Sequence, residues 1–307
     1  MGYLEAAILG FVQALTEFLP ISSSAHIRIV GDLFGWGDPG AAFTAIIQLG
    51  TEAAVLCYFW KDIVRIIRKW LCSWTGRVAR TDADVRMGWV VIIGTLPIGI
   101  LGLLFADTIE TSLRNLYITA AVLALFAIFL GLADRWASQR KELRDMSYRD
   151  GLLLGCGQAL ALIPGVSRSG GTITTGLLLG YTREAAARVS FLMAVPAVLL
   201  SGFYQLVKYA GDASIPAGPT ILATVISFVL GYAVIVWFLR LVSTRSYLPF
   251  VIYRLGLALL VVVLLGAGTL SVLTTTPRWL ALHRCSLRAS GVLGKLCLSS
   301  SRGGLAT

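Results

Sequence analysis

Residues 13–26 read QALTEFLPISSSAH, and residues 158–172 read QALALIPGVSRSGGT. Both stretches lie inside longer apolar regions, 4–34 and 151–180, and a proline-containing polar break interrupts each one. Proline removes a backbone donor and disfavours helix in the residue before it. Pro20 and Pro164 therefore cut each region into halves too short to cross a bilayer, which takes ~20 apolar residues. A broken backbone at membrane depth is tolerated only where protein or a water-filled cavity surrounds it. The pattern predicts two re-entrant helical hairpins. They also match each other at an offset of 145: Gln13-Ala14-Leu15 with Gln158-Ala159-Leu160, and Ile21-Ser22-Ser23-Ser24 with Val166-Ser167-Arg168-Ser169.

Outward from these breaks the chain stays apolar. Its 307 residues are 57% hydrophobic and 14% charged, with a mean hydropathy of +0.80. Soluble domains carry roughly 25% charge, so a water-facing surface cannot be built from this composition. Six stretches are long enough to span, at about 41–60, 87–105, 116–134, 186–207, 218–239 and 249–272, with Trp60, Trp89, Trp136 and Trp237 at their ends as interfacial anchors. Three spans follow each broken region. An odd number inverts the second half, so an inverted-topology repeat is expected, its interrupted segments meeting near the midplane. The expected fold is an all-α polytopic membrane protein with six full transmembrane helices and two re-entrant hairpins. It forms one integral membrane domain over 1–273, repeat 1 covering about 1–145 and repeat 2 about 146–273. Residues 274–307 hold five Lys/Arg and no acid, and are expected to be a poorly ordered basic tail.

The net charge of +10 is unevenly spread: seven Lys/Arg fall between Lys61 and Arg86, and five between Arg135 and Arg149. Read as short loops, both belong in the cytoplasm by the positive-inside rule. The 106–115 and 208–217 loops then face out, the first hairpin enters from outside, the second from the cytoplasm, and both chain ends lie outside. No basic face interleaves with exposed aromatics, so the partner is the lipid bilayer and not nucleic acid. The five cysteines are odd in number and lack C-x-x-C spacing, which gives neither a disulfide framework nor a zinc site. Cys57 and Cys156, in apolar runs, are expected to be packing residues. The opening Met1-Gly2-Tyr3-Leu4-Glu5 has no basic region of a secretory signal, and Ala6 stands where a myristoylation motif needs Ser or Thr. Membrane attachment is expected to come from the spans.

The polar residues inside the breaks carry the chemistry. Gln13 and Glu17 are four apart and share a helix face. Ser22, Ser23 and Ser24 stand where the second half-helix starts, placed to cap it beside free N–H groups that attract anions, and His26 follows within a turn. The second break adds Ser167, Arg168, Ser169 and Thr172. An arginine within the membrane costs at least ~2.5 kcal/mol, and its planar fork suits two-point contact with a phosphate. Gly165, Gly170 and Gly171 would let the backbone approach that anion. Each feature has a plain structural alternative: a capped helix break, an arginine paired with Glu17, a satisfied core histidine. Two matching hairpins, one acidic and one basic, favour a phosphoryl-transfer site. Gln48 and Glu52, also four apart, lie on the first full span, where Glu52 could bind a cation, hold Arg168 or pack against a neighbouring helix.

At these residues the chain resembles the undecaprenyl-diphosphate phosphatase family, the bacitracin-resistance membrane proteins of bacteria. The likeness covers about residues 3–270. The family's E/Q-x-x-x-E is met by Gln13 and Glu17 and continues through Ser22, Ser23 and His26; its P-G-x-S-R-S-x-x-T is met in full from Pro164 to Thr172. Ala25 replaces the usual glycine before the histidine, and no acid stands near Thr44. The resemblance implies hydrolysis of a C55 polyprenyl diphosphate to its monophosphate, recycling the lipid carrier for peptidoglycan synthesis. It also implies bacitracin resistance, a divalent cation (Mg²⁺ or Ca²⁺), and a cavity in the cell membrane open to the extracytoplasmic side. On that basis Glu17 with Gln13 would hold the metal, and Arg168 would act as the catalytic anion holder. Ser22, Ser24, Ser167, Ser169 and Thr172 would bind substrate. Ser23 or His26 would attack phosphorus, or His26 would activate a water, with Ser23 preferred. Assembly as a homodimer is left open.

Two rival readings have distinct signatures. A lipid-phosphate transporter would use the same inverted repeat, but transport of an anion needs no Glu-Ser-His cluster. A lipid phosphatase built on two histidines needs a second membrane-embedded His; this chain has two in all, His26 and His283, the latter in the basic tail.

Overall fold

Pro20 and Pro164 interrupt the chain as expected. In the computed structural model, which describes residues 1–105, 115–208 and 216–270, α1 (Tyr3–Glu17) stops three residues before Pro20 and α2 (Ser23–Leu33) starts three after it. The second break lies between α7 (Tyr148–Ala159), extended by a 3₁₀ turn at Leu160–Leu162, and α8 (Arg168–Leu178). At ~1.5 Å per residue neither α1 nor α7 reaches across a ~30 Å hydrocarbon core. The chain continues from α2 through α3 (Gly40–Tyr58), α4 (Trp60–Trp74), α5 (Ala83–Leu104) and α6 (Leu116–Trp136). After α8 come α9 (Arg183–Lys208), α10 (Ala217–Thr244) and α11 (Leu248–Gly266). The described residues hold no strand, and the basic tail at 274–307 lies outside them.

Among the described residues five helices, α5, α6, α9, α10 and α11, are long and apolar enough to cross a membrane; α3 and α4 make a sixth span only as a pair, bent by 76°. The expected 61–86 loop is in large part α4, a correction with a clear cause. Trp60, Val64, Ile67, Leu71 and Trp74 recur at helical spacing and are all exposed, while Lys61, Arg65, Arg68 and Lys69 lie between them. Such a helix has an apolar stripe for the lipid boundary and a charged side for water. Its charged side is tied down by Lys69 to Asp82 and Asp84 (3.0 and 2.8 Å) and by Arg65 to Asp62 and Asp84 (2.8 and 3.2 Å). Cys57 and Cys156 are exposed, so they do not pack the core as expected.

Helix pairing follows the sequence match. α1 packs along α10 and α7 along α5, while α3 meets α9 and α6 meets α11. Gly10 permits the first crossing, since a Cβ there would meet the Ala223 carbonyl at 2.6 Å; Gly155, 145 residues later, permits the second, where a Cβ would meet the Gly94 carbonyl at 2.5 Å. Small residues allow such backbone approach without lipid between helices. The core around the breaks is aromatic, with Phe18 edge-on to Phe191 at 5.4 Å and Phe191 against Phe238 at 5.9 Å. The outward rows, such as Leu103, Leu104, Leu200, Phe203, Val207 and Leu259, are exposed and apolar, as a lipid-facing surface requires.

Candidate active site

Glu17 ends α1, Ser23 opens α2 and Arg168 opens α8, and the three side chains meet. Glu17 is 4% exposed. Its Oε1 accepts a hydrogen bond from Arg168 Nη2 at 2.7 Å; its Oε2 accepts from Ser23 Oγ at 2.6 Å and Gln13 Nε2 at 2.8 Å. From α3, Gln48 Nε2 lies 3.2 Å from both carboxylate oxygens. Glu52 Oε2 is 4.0 Å from the same Arg168 nitrogen, so of its three readings the contact with Arg168 is the one seen. Ser23 and Arg168 are 145 residues apart and each is the first residue of an 11-residue half-helix.

The turns that deliver these side chains are strained in the same place. Ser22 and Ser167 have φ of 72° and 73°, in the left-handed region that a side chain disfavours. Each such residue costs of order 1–3 kcal/mol and persists only where surroundings hold it. Ser167 offsets part of this by capping α8, its Oγ accepting from Gly170 N at 3.2 Å. Ser22 makes no such cap, contrary to expectation; its hydroxyl lies 3.3 Å from Ser24 Oγ.

The remaining expected residues divide. Ser169 links the two broken segments, donating to the Leu19 carbonyl at 3.0 Å, and Ser167 Oγ lies 3.1 Å from Ser169 Oγ. Thr172 folds back onto its own helix, donating to the Arg168 carbonyl at 2.9 Å. The His26 ring is held at both nitrogens, with Nδ1 2.7 Å from the Ser22 carbonyl and Nε2 2.7 Å from the Tyr253 hydroxyl. A carbonyl only accepts, so Nδ1 carries the proton and Nε2 accepts from Tyr253. Neither nitrogen bonds Ser23. The glycines are spoken for as well: a Cβ on Gly165 would meet the Thr119 carbonyl and one on Gly171 the Gly157 carbonyl, so these positions serve backbone packing and not an approaching anion.

Two side chains of α11 stand outside the expected set. Tyr253 locks His26, and Arg254, fully buried, donates to the carbonyls of Pro20 (3.0 Å), Gly165 (2.8 Å) and Leu123 (3.3 Å). The signal for Arg254 was in the sequence, as a lone arginine within an apolar span.

Oxygen donors around Glu17 suit a hard divalent cation. Gln13 Oε1 and Glu52 Oε1 are buried without a hydrogen-bond partner among the described residues, two unspent acceptors beside this carboxylate. No group of three His, Cys, Asp or Glu gathers among the described residues. The remaining ligands would come from substrate and water, as is usual for Mg²⁺.

Residues 6–260 match the family described as bacitracin resistance protein BacA. A protein of Kineococcus radiotolerans named undecaprenyl-diphosphatase is 61% identical over 271 residues, covering 88% of this chain and 96% of the relative. One of Agrobacterium fabrum, undecaprenyl-diphosphatase 2, is 60% identical over 273 residues, covering 88% and 98%. One of Paenarthrobacter aurescens, again undecaprenyl-diphosphatase, is 59% identical over 277 residues, covering 88% and 100%.

Proposed function

Because the chain belongs to the bacitracin resistance protein family, BacA, we propose that it is an undecaprenyl-diphosphate phosphatase. It hydrolyses the lipid diphosphate to undecaprenyl phosphate and inorganic phosphate within the membrane, which renews the carrier for peptidoglycan synthesis and underlies bacitracin resistance. The observation that carries the reading is the convergence of Ser23 and Arg168 on opposite oxygens of Glu17. The names of the relatives do not favour the transporter alternative.

The geometry supports a division of labour. Ser23 Oγ, already donating to Glu17, attacks the terminal phosphorus while its proton passes to Glu17 Oε2, the general base. The polyprenyl monophosphate leaves, and the proton goes to its departing oxygen or to solvent. Water then attacks the phosphoserine with Glu17 taking its proton and passing it to the departing Ser23 Oγ; Ser23 is restored and phosphate is released. Arg168 neutralises charge on the transferred group. Its Nε has no hydrogen-bond partner among the described residues, which leaves a donor for that purpose. His26, held by Ser22 and Tyr253, orients the first turn of α2. Glu17 and Gln13, with Glu52, would hold Mg²⁺ or Ca²⁺, which when bound neutralises diphosphate oxygens.

The same reading covers architecture. An inverted repeat over about 1–145 and 146–273, with six spans and two re-entrant hairpins, is supported by the exchanged pairing of α1 with α10 and α7 with α5 and by the matching crossings at Gly10 and Gly155. The Lys/Arg-rich 61–86 and 135–149 segments then lie in the cytoplasm of a bacterial cell, and the cavity opens to the outer face of the cell membrane.

The test is phosphate release from a C55 polyprenyl diphosphate by the purified protein, with and without a chelator. Glu17→Gln and Arg168→Ala are each expected to lower kcat by roughly 10²–10⁴, and the chelator to abolish release. No release from folded, substrate-binding wild-type protein would reject the enzyme.

A further inference from the structure

Arg254 is fully buried in α11, and among the described residues its hydrogen bonds go to main-chain carbonyls alone. A guanidinium in that position is expensive unless its donors are used. The carbonyls it selects are informative. Pro20 and Gly165 are 145 residues apart, the same place in the two broken segments. Nη1 takes one and Nη2 the other, so a single planar group ties the breaks together at a fixed separation. Nε anchors the fork to the Leu123 carbonyl of α6.

Each tied carbonyl precedes the functional residue by a fixed, short stretch of chain. Three residues after Pro20 comes Ser23; three after Gly165 comes Arg168; and the strained Ser22 and Ser167 lie between. The Arg254 fork also sits behind the first turn of α8, where a Cβ on Gly170 would be 3.0 Å from Nη1. We propose that Arg254 is a positioning residue. It fixes the distance between the Ser23 nucleophile and the Arg168 anion holder by clasping both breaks, without touching substrate. This rests on the phosphatase reading. Lysine cannot substitute: it retains the charge but lacks the two-pronged planar geometry.

The experiment compares wild type, Arg254→Lys and Arg254→Met, purified in detergent, with kcat and KM for C55 diphosphate expressed per folded molecule and thermal unfolding followed in parallel. Both variants are expected to fold and to keep KM within about threefold while kcat falls roughly 100-fold, the scale of a misplacement of about 1 Å. Guanidinium added to Arg254→Ala should restore activity at least about tenfold, and methylammonium should not, because only the former presents the planar fork. The proposal is overturned if Arg254→Lys turns over like wild type, if the loss appears in KM alone, or if the variants fail to fold, since the residue is then scaffold. Inactive wild-type protein would instead remove the phosphatase reading.

Discussion

At the scale of single residues, the 2.6 Å contact between Ser23 Oγ and Glu17 Oε2 puts one shared proton between the two atoms to which the proposed mechanism gives the roles of nucleophile and base. Ser23→Ala is therefore expected to abolish turnover while the fold and metal response survive, and trapping with radiolabelled substrate should leave no phosphoenzyme. Tyr253→Phe removes one neutral hydrogen bond to His26, worth about 1 kcal/mol, so a fall in kcat of about fivefold is expected in the same assay. Glu17 and Arg168 are legible in the sequence because a charge in an apolar stretch must be used or paired. Arg254 obeys the same rule, yet its partners are carbonyls, which leave no mark on a sequence. Tyr253 is hidden for a different reason: a tyrosine in a span is ordinary, and only the fold brings it to a histidine 227 positions away.

At the scale of elements, the two half-helices start alike and are held differently. Ser167 caps α8 through Gly170 N, whereas Ser22 caps nothing. Ser167→Ala should destabilise the protein by about 1 kcal/mol, and Ser22→Ala by clearly less; thermal unfolding in detergent distinguishes them. The breaks themselves are legible because proline acts locally. The start of α4 is not. Its basic residues are dense enough to read as a loop, and the apolar stripe at Trp60, Val64, Ile67, Leu71 and Trp74 shows only when positions are counted around a helix. The serines are legible as residues near the site but not in their roles, since sequence position alone does not say which way a hydroxyl turns.

At the scale of the molecule, the proposed orientation rests on basic residues that flank spans on one side. In a cysteine-free background, Ser138→Cys, exposed after α6, is expected to resist a membrane-impermeant thiol reagent in intact cells and react once they are opened. Labelling from outside would reverse the assignment of the cavity. The repeat is visible as a shared offset, but which helices trade places across it emerges only from the packing of α1 on α10 and α7 on α5.

Ser23 and Arg168 hold the same address in two matching halves, and there the halves differ. A scaffold with two equivalent ends could bind a diphosphate in either direction. On the phosphatase reading, a hydroxyl at one matched position and a cation at the other give the site a direction in the vector sense, so it would take its substrate one way round. Ser23 and Arg168, on the two oxygens of one carboxylate, would both meet the terminal phosphate, and the ester-linked phosphate, with its lipid, would be the group that departs.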